Sequence, residues 1–287
     1  MTKKLKKFLR KLFNSLDRNI AKLVLIFYRF ACNLKFFFSK KRSKEVISSA
    51  MSLRNYGVWQ HIDKETIKNV DKIKKDFLES FKSKDNNNEV PLEIIEDRGE
   101  FFMKSKNLIN PFIDSVIKSY FKSDFKIFSV TLLVSKNKKF WKDDSSWLWH
   151  QDGYLSGSHL KMFCYLNDVS NENGAFQFHN SIDSKKYKRQ GFKGSYPARK
   201  YNNKFILEKL NKNFNSVEGP KGTIFLCDVS SIIHKANMPK VGEREAIVFE
   251  MAPCLKKQNT YSLKDRNTSI SMYIKTFQAL KFIYNHS

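Results

Sequence analysis

Two kinds of hydrophobic spacing divide the chain. Up to about residue 121 apolar positions recur every three or four residues. From Phe125 they come in short runs separated by Gly, Asn and Pro. The first pattern begins at once: Leu5, Phe8, Leu9, Leu12, Phe13, Leu16, Ile20, Leu23, Val24, Phe27, Ala31, Leu34 and Phe38 share helical spacing, opposite Lys3, Lys4, Lys7, Lys11, Arg18 and Lys22. Residues 53–59 read as the start of a short strand. Asp63 then caps a helix with Ile67, Val70, Ile73, Phe77 and Phe81 on one face. Residues 83–89 lack apolar periodicity and read as a loop. A further helix is predicted from Pro111 to about Phe121. Both helices suit the covering of one sheet face.

The second pattern predicts strands at 125–135, 160–166, 174–178, 222–228 and 246–251, with a turn at Asn171-Glu172-Asn173-Gly174. Short strands with such punctuation predict a sandwich or jelly roll. The fold expectation is mainly β: a double-stranded β-helix (cupin-like jelly roll) flanked by helices and preceded by an amphipathic one. A basic insertion, 184–214, interrupts the strands, with Lys185, Lys186, Lys188, Arg189, Lys193, Arg199, Lys200 and Lys204. A segment of that length inside a β domain is a functional loop or lid, or a solvated excursion, and both readings stay open. A helix with Met272, Ile274, Phe277, Leu280 and Ile283 follows Cys254. Three parts result: a basic helical extension (1–44), a domain (45–253, its β core about 125–253) and a helical tail (254–287).

Charge changes the picture of the first part. The chain carries 53 Lys/Arg against 28 Asp/Glu, a formal +25. Residues 1–44 hold fourteen Lys/Arg and a single acid, Asp17. A field that strong implies an anionic partner. The longest apolar run there, residues 23–28, ends at Arg29, well short of the roughly 18–20 residues a membrane span needs. It also lacks the small-residue cleavage site of a secretory signal. The reading is an interfacial helix on an anionic membrane, Phe and Leu among acyl chains and Lys among headgroups. This places the chain in the cytoplasm, peripheral on the inner face of a membrane. Docking on the domain, self-association and organelle targeting stay open. A nucleic-acid role through residues 36–38 with Lys40, Lys41 and Arg42 has no nucleic-acid fold motif behind it. The four cysteines, Cys32, Cys164, Cys227 and Cys254, have no metal or redox spacing. Cys164 and Cys227 sit in apolar runs as buried thiols, which suits a reducing compartment.

The chemistry concentrates in residues 147–154, Trp-Leu-Trp-His-Gln-Asp-Gly-Tyr. On extended backbone His150 and Asp152 project to one side. With one more imidazole they would hold a divalent iron on one face and leave the other open. His234 follows the Gly-led strand 222–228, and Arg244 comes ten residues later at the head of another apolar run. An open face accepts a bidentate oxo-acid and dioxygen. A neighbouring Arg could clamp the far carboxylate of that acid through a forked pair. His159 and His179 read as structural, and Trp149 and Tyr154 as pocket walls.

Three pieces carry a family resemblance: Trp-His-Gln-Asp-Gly-Tyr at 149–154, Leu-Asn-Asp-Val-Ser-Asn-Glu-Asn-Gly-Ala at 166–175, and Gly222-Thr223 through His234 to Arg244. Over about a third of its length the chain resembles the phytanoyl-CoA dioxygenase-like family of iron(II)/2-oxoglutarate oxygenases. The resemblance implies His150, Asp152 and His234 as iron ligands, Arg244 on the distal carboxylate of 2-oxoglutarate, and dioxygen as cosubstrate. Thr131 is a further candidate for the cosubstrate. Related halogenases lack the carboxylate that Asp152 keeps, so hydroxylation of an unactivated C–H is the expectation. The family's Pro-Gly-Ser-His turn is replaced here by Phe178-His179-Asn180-Ser181-Ile182-Asp183. The substrate expected from the charge is an anionic lipid or lipid-linked sugar. The alternatives are the same chemistry on a soluble small metabolite, and a non-catalytic jelly-roll binding protein at a membrane.

Overall fold

In the computed structural model the described residues are 42–75, 92–96, 100–136, 146–152, 159–194 and 202–254, with isolated positions 30, 33 and 36. The expectations for most of 1–44, for Phe77, Phe81 and 83–89, for Tyr154 and for the tail beyond 254 lie outside them. Among the described residues no helix is long and apolar enough to cross a membrane.

The first element, α1 (Lys44–Tyr56), is capped by Ser43, whose side chain accepts from Val46 N. Its buried positions Val46, Ser49, Ala50 and Leu53 recur at helical spacing. Residues 53–56, expected as strand, therefore continue the helix. The reason is tertiary: this face packs on a later helix, α4 (Pro111–Phe121). The helix stops at Gly57, left-handed at φ 81°, where a Cβ would lie 2.2 Å from Ile232 Cγ2. Strand β1 (Val58–His61) follows, then α2 (Lys64–Ile73) with Asp63 as its cap, as predicted. β2 (Leu92–Glu96) and α3 (Glu100–Ser105) were not anticipated. Asn110 caps α4, with Pro111 in its first turn.

Of the remaining strands, β3 (Asp124–Lys136), β4 (Leu160–Tyr165), β5 (Phe176–His179), β7 (Ile224–Asp228) and β9 (Glu243–Cys254) fall close to the predicted ones, while β6 (Asn215–Val217) and β8 (Ile233–Lys235) were not anticipated. They form two antiparallel sheets, ordered β1-β7-β4-β9-β3-β2 and β6-β5-β8. The chain changes sheet from β4 to β5, from β6 to β7, from β7 to β8 and from β8 to β9, as in a jelly roll.

Alternation along the strands sorts the core. One face of the larger sheet, including Leu132, Met162, Leu226 and Phe249, packs under the helices with Leu53 and Ile117. The opposite face meets the small sheet, with Tyr165, Phe176, Phe225, Cys227 and Ala246. Cys164, Cys227 and Cys254 are buried.

The insertion is neither a solvated excursion nor an irregular loop in its described part. It forms α5 (Ser181–Arg189) and α6 (Lys204–Lys212). Together they bury Trp149, Tyr187, Phe192, Ile206 and Leu210 against Ile233 on the outer side of the small sheet. Asn180 caps α5 by accepting from Ile182 N and Asp183 N. Ser184 Oγ then accepts from Ile233 N.

Candidate metal centre

His234 sits in the short strand β8, and His150 pairs with it as an added strand position. The two exchange backbone hydrogen bonds, His150 N to His234 O at 2.9 Å and His234 N to His150 O at 2.8 Å. Two residues on, Asp152 N donates to Val229 O just beyond β7. Residues 150–152 thus cross from the edge of the small sheet to the large one, and bring the carboxylate with them. His150 Nε2 lies 3.7 Å from Asp152 Oδ1, and His234 Nε2 lies 3.9 Å from Asp152 Oδ2. The three ligand atoms all fall within 4.8 Å of one another.

The donor set fits a divalent metal. His150 Nδ1 faces Leu148 O at 2.7 Å and His234 Nδ1 faces Ile232 O at 3.3 Å. A neutral imidazole that donates from Nδ1 carries its lone pair on Nε2, and both Nε2 atoms face Asp152. Burial and the neighbouring His150 hold His234 well below the ordinary imidazole range, so it stays neutral. For Asp152 burial pulls upward, but the Lys161 ammonium 2.9 Å away outweighs it, and the carboxyl stays well below its usual range.

Arg244 lies on β9 at a position whose neighbours on the same face, Ala246 and Val248, sit opposite Leu133 and Thr131 of β3. It is 5% exposed. Nη1 donates to Gly174 O and Nη2 to Ser135 Oγ, at 2.5 and 3.1 Å. Gly174 itself needs to be glycine: φ is 100°, and a Cβ would meet Asn237 O at 2.8 Å. Two of the five guanidinium N–H groups are committed in this way, and the rest of the fork can meet a carboxylate. Thr131 lies on the same face of β3, with its hydroxyl 3.5 Å from Ser129 Oγ. Aromatic rings fill the space between the sheets: Phe163 stacks on Phe225 at 4.7 Å, and Phe176 lies 5.4 Å from His234.

One expectation changes here. Trp149, expected as a pocket wall, packs on the insertion instead. It is buried under the insertion, with Nε1 donating to Asn211 Oδ1 at 2.8 Å, and so anchors α6. The backbone of Gln151, between the two ligands, donates to Gly194 O in the insertion. His159 and His179 stay outside the triad, as expected. His179 is buried beside Trp149, and burial pulls it down to about 4. The group that sequence reasoning missed is a charged chain beside Asp152. Lys161 Nζ lies 2.9 Å from Asp152 Oδ2 and 3.7 Å from Glu250 Oε1, and His159 Nε2 lies 3.2 Å from Glu250 Oε2. Its one sequence signal was a lysine at an inward position of β4, between aromatic Phe163 and the ligand loop.

No family model matches the sequence, and no curated protein matches it. Solved structures do resemble it. The non-haem alpha-ketoglutarate-dependent epimerase SnoN from nogalamycin biosynthesis aligns at 15% identity, over 73% of this chain and 83% of that one, with a TM-score of 0.50. Its complex with Fe3+, alpha ketoglutarate and nogalamycin RO gives a TM-score of 0.51 at 14% identity, over 73% and 84% of the two chains. HygX from Streptomyces hygroscopicus, with nickel and 2-oxoglutarate bound, aligns at 12% identity over 76% of this chain and 90% of that one, with a TM-score of 0.51. At such identities the likeness concerns the fold, the jelly roll that non-haem 2-oxoglutarate-dependent enzymes use. No matching model carries the narrower resemblance to the phytanoyl-CoA dioxygenase-like family.

Proposed function

We propose that the chain is an iron(II)- and 2-oxoglutarate-dependent dioxygenase that hydroxylates an unactivated C–H bond. The observation that carries this reading is the convergence of His150, Asp152 and His234, with both Nε2 atoms turned toward the carboxylate at one end of the jelly roll. Two imidazoles and a carboxylate with an open face are the donor set for non-haem iron. Bound iron, 2-oxoglutarate and dioxygen would supply the oxidising power, with succinate and carbon dioxide as by-products. The chain's own part is to hold and orient. His150, Asp152 and His234 take one side of the metal. Arg244 holds the distal carboxylate of 2-oxoglutarate, and Thr131 gives it a hydroxyl partner. Phe163, Phe176 and Phe225 keep water from the interior. Anaerobic iron titration followed by a succinate-release assay tests this. The expectation is one iron per chain and iron-dependent succinate. Tight iron binding without any succinate would favour the binding-protein reading instead.

For the substrate the reading is an anionic lipid or lipid-linked sugar, on a membrane that the protein binds peripherally. The excess charge of residues 1–44 supports it, and so does the folded surface next to them. Ile47 and Met51 lie one turn apart on α1, 47% and 53% exposed. Ser181 Oγ ties the start of α5 to Asn55 O. From there α5 presents Ile182, 66% exposed, and then Lys185, Lys186 and Arg189 on successive turns. An apolar stripe beside a basic one suits an anionic interface. Full-length protein is expected to float with vesicles containing phosphatidylserine and to sediment with neutral phosphatidylcholine ones. A chain beginning at Ser43 should float less. Equal behaviour of the two chains would remove the membrane argument and favour a soluble metabolite.

A further inference from the structure

The inward face of β4 is aromatic at Phe163 and Tyr165, yet its first inward residue is Lys161. That ammonium lies between two carboxylates, 2.9 Å from Asp152 Oδ2 and 3.7 Å from Glu250 Oε1. All three side chains are 20–23% exposed, so their charges are only partly screened. Glu250 is held in turn by His159, whose side chain is 1% exposed. Burial acts to lower Lys161, but Glu250 and Asp152 together raise it, so it remains a cation.

We propose that Lys161 is a positioning residue that stands in for the metal's charge. In the metal-free protein it neutralises Asp152. In the loaded protein it keeps Oδ2, so that Asp152 offers the metal Oδ1 alone.

This rests on the reading of His150, Asp152 and His234 as a metal site. The consequence concerns the open face. A triad of single-atom ligands takes three of the six positions of an octahedral ion. A chelating oxo-acid needs two of the rest and dioxygen the last. A carboxylate that turned both oxygens to the metal would close one of them. The Lys161 hydrogen bond prevents that turn. It also sets the charge balance. Asp152, Lys161 and Glu250 sum to one negative charge. Without the lysine two negative charges would face a dication, and without Glu250 the set would be neutral.

The sign of the effect separates this role from ordinary support. A partner that merely braces a ligand costs roughly 10–100-fold in metal affinity when removed. Here Lys161→Met is expected to bind Co(II), used as an oxygen-stable probe, about 10-fold more tightly than the wild type. Its metal-free form should melt at lower temperature, and added Co(II) should raise its melting temperature by more than it does for the wild type. The affinity of the Co(II)-loaded variant for 2-oxoglutarate, read from the visible ligand-field spectrum, should fall about 10-fold. Glu250→Gln, which keeps the shape, should shift Co(II) affinity the other way, about 10-fold weaker.

Weaker Co(II) binding in Lys161→Met, or unchanged 2-oxoglutarate affinity there, overturns the proposal. Should that variant not fold, Glu250→Gln carries the test alone, and unchanged or tighter Co(II) binding overturns it. The wild-type titration separates this inference from the reading beneath it. Normal wild-type binding with the wrong signs in the variants removes the role of Lys161 only. No wild-type binding removes the metal site and the role together.

Discussion

Asp152→Ala should abolish iron-dependent succinate formation, by about 1,000-fold or more, while the chain stays folded. Loss of an outer partner of a metal ligand already costs roughly 10–100-fold in metal affinity or activity. Removal of the ligand itself should cost more. Asp152 is the only carboxylate in the described group of three, and the neighbouring Glu250 is already held by Lys161 and His159. The two imidazoles alone would leave a metal weakly held and no longer confined to one face. The fold has reasons to survive. Asp152 is 23% exposed, and its backbone link to Val229 O does not depend on the side chain. Lys161 keeps Glu250 as a counter-ion at 3.7 Å. The checks are succinate release under saturating iron and 2-oxoglutarate, with circular dichroism and a melting curve beside it. Wild-type turnover in a folded Asp152→Ala protein would sink the assignment of this site.

The second large effect is expected at Arg244. Arg244→Met should raise the 2-oxoglutarate concentration for half-maximal turnover by about 100-fold, the equivalent of about 3 kcal/mol from a lost charge-assisted pair. Iron affinity should stay close to wild type. Arg244→Lys should fall between the two, since an ammonium supplies charge without the fork. A stability effect will accompany the methionine variant. Gly174 O and Ser135 Oγ lose their donor, and an unpaired buried carbonyl costs roughly 1–3 kcal/mol. Titration well below the melting temperature separates the two effects. An unchanged 2-oxoglutarate dependence would leave Arg244 a purely structural residue, tied to Gly174 and Ser135.

Much of the architecture was legible because it is local. Asp63 and Asn110 cap their helices through side chains that only a few residue types possess, three residues from the amides they accept. The strands betrayed themselves by β-branched and aromatic runs between turns. The elements that escaped have weak or misleading local signals. The buried side of α5 is Ser181, Ser184 and Tyr187, too polar for hydrophobic periodicity to show. The last turn of α1 looks like strand, and its packing on α4, α5 and β7 holds it helical. β2 exists through its pairing with the edge of β3.

The site divides in the same way. His150 and Asp152 were legible because one residue separates them and extended backbone does the rest. His234 and Arg244 were legible as residue types in strand contexts, though nothing local says that they meet. By itself the sequence determined the class of fold, the donor types and a strongly basic chain. The tertiary structure decided which distant backbones pair, and that is what brought His234 against His150. It also turned Lys161 inward to meet Asp152 and Glu250. A buried ion pair across two strands and a loop depends on sheet register, and register is a property of the assembled sheets rather than of any one segment.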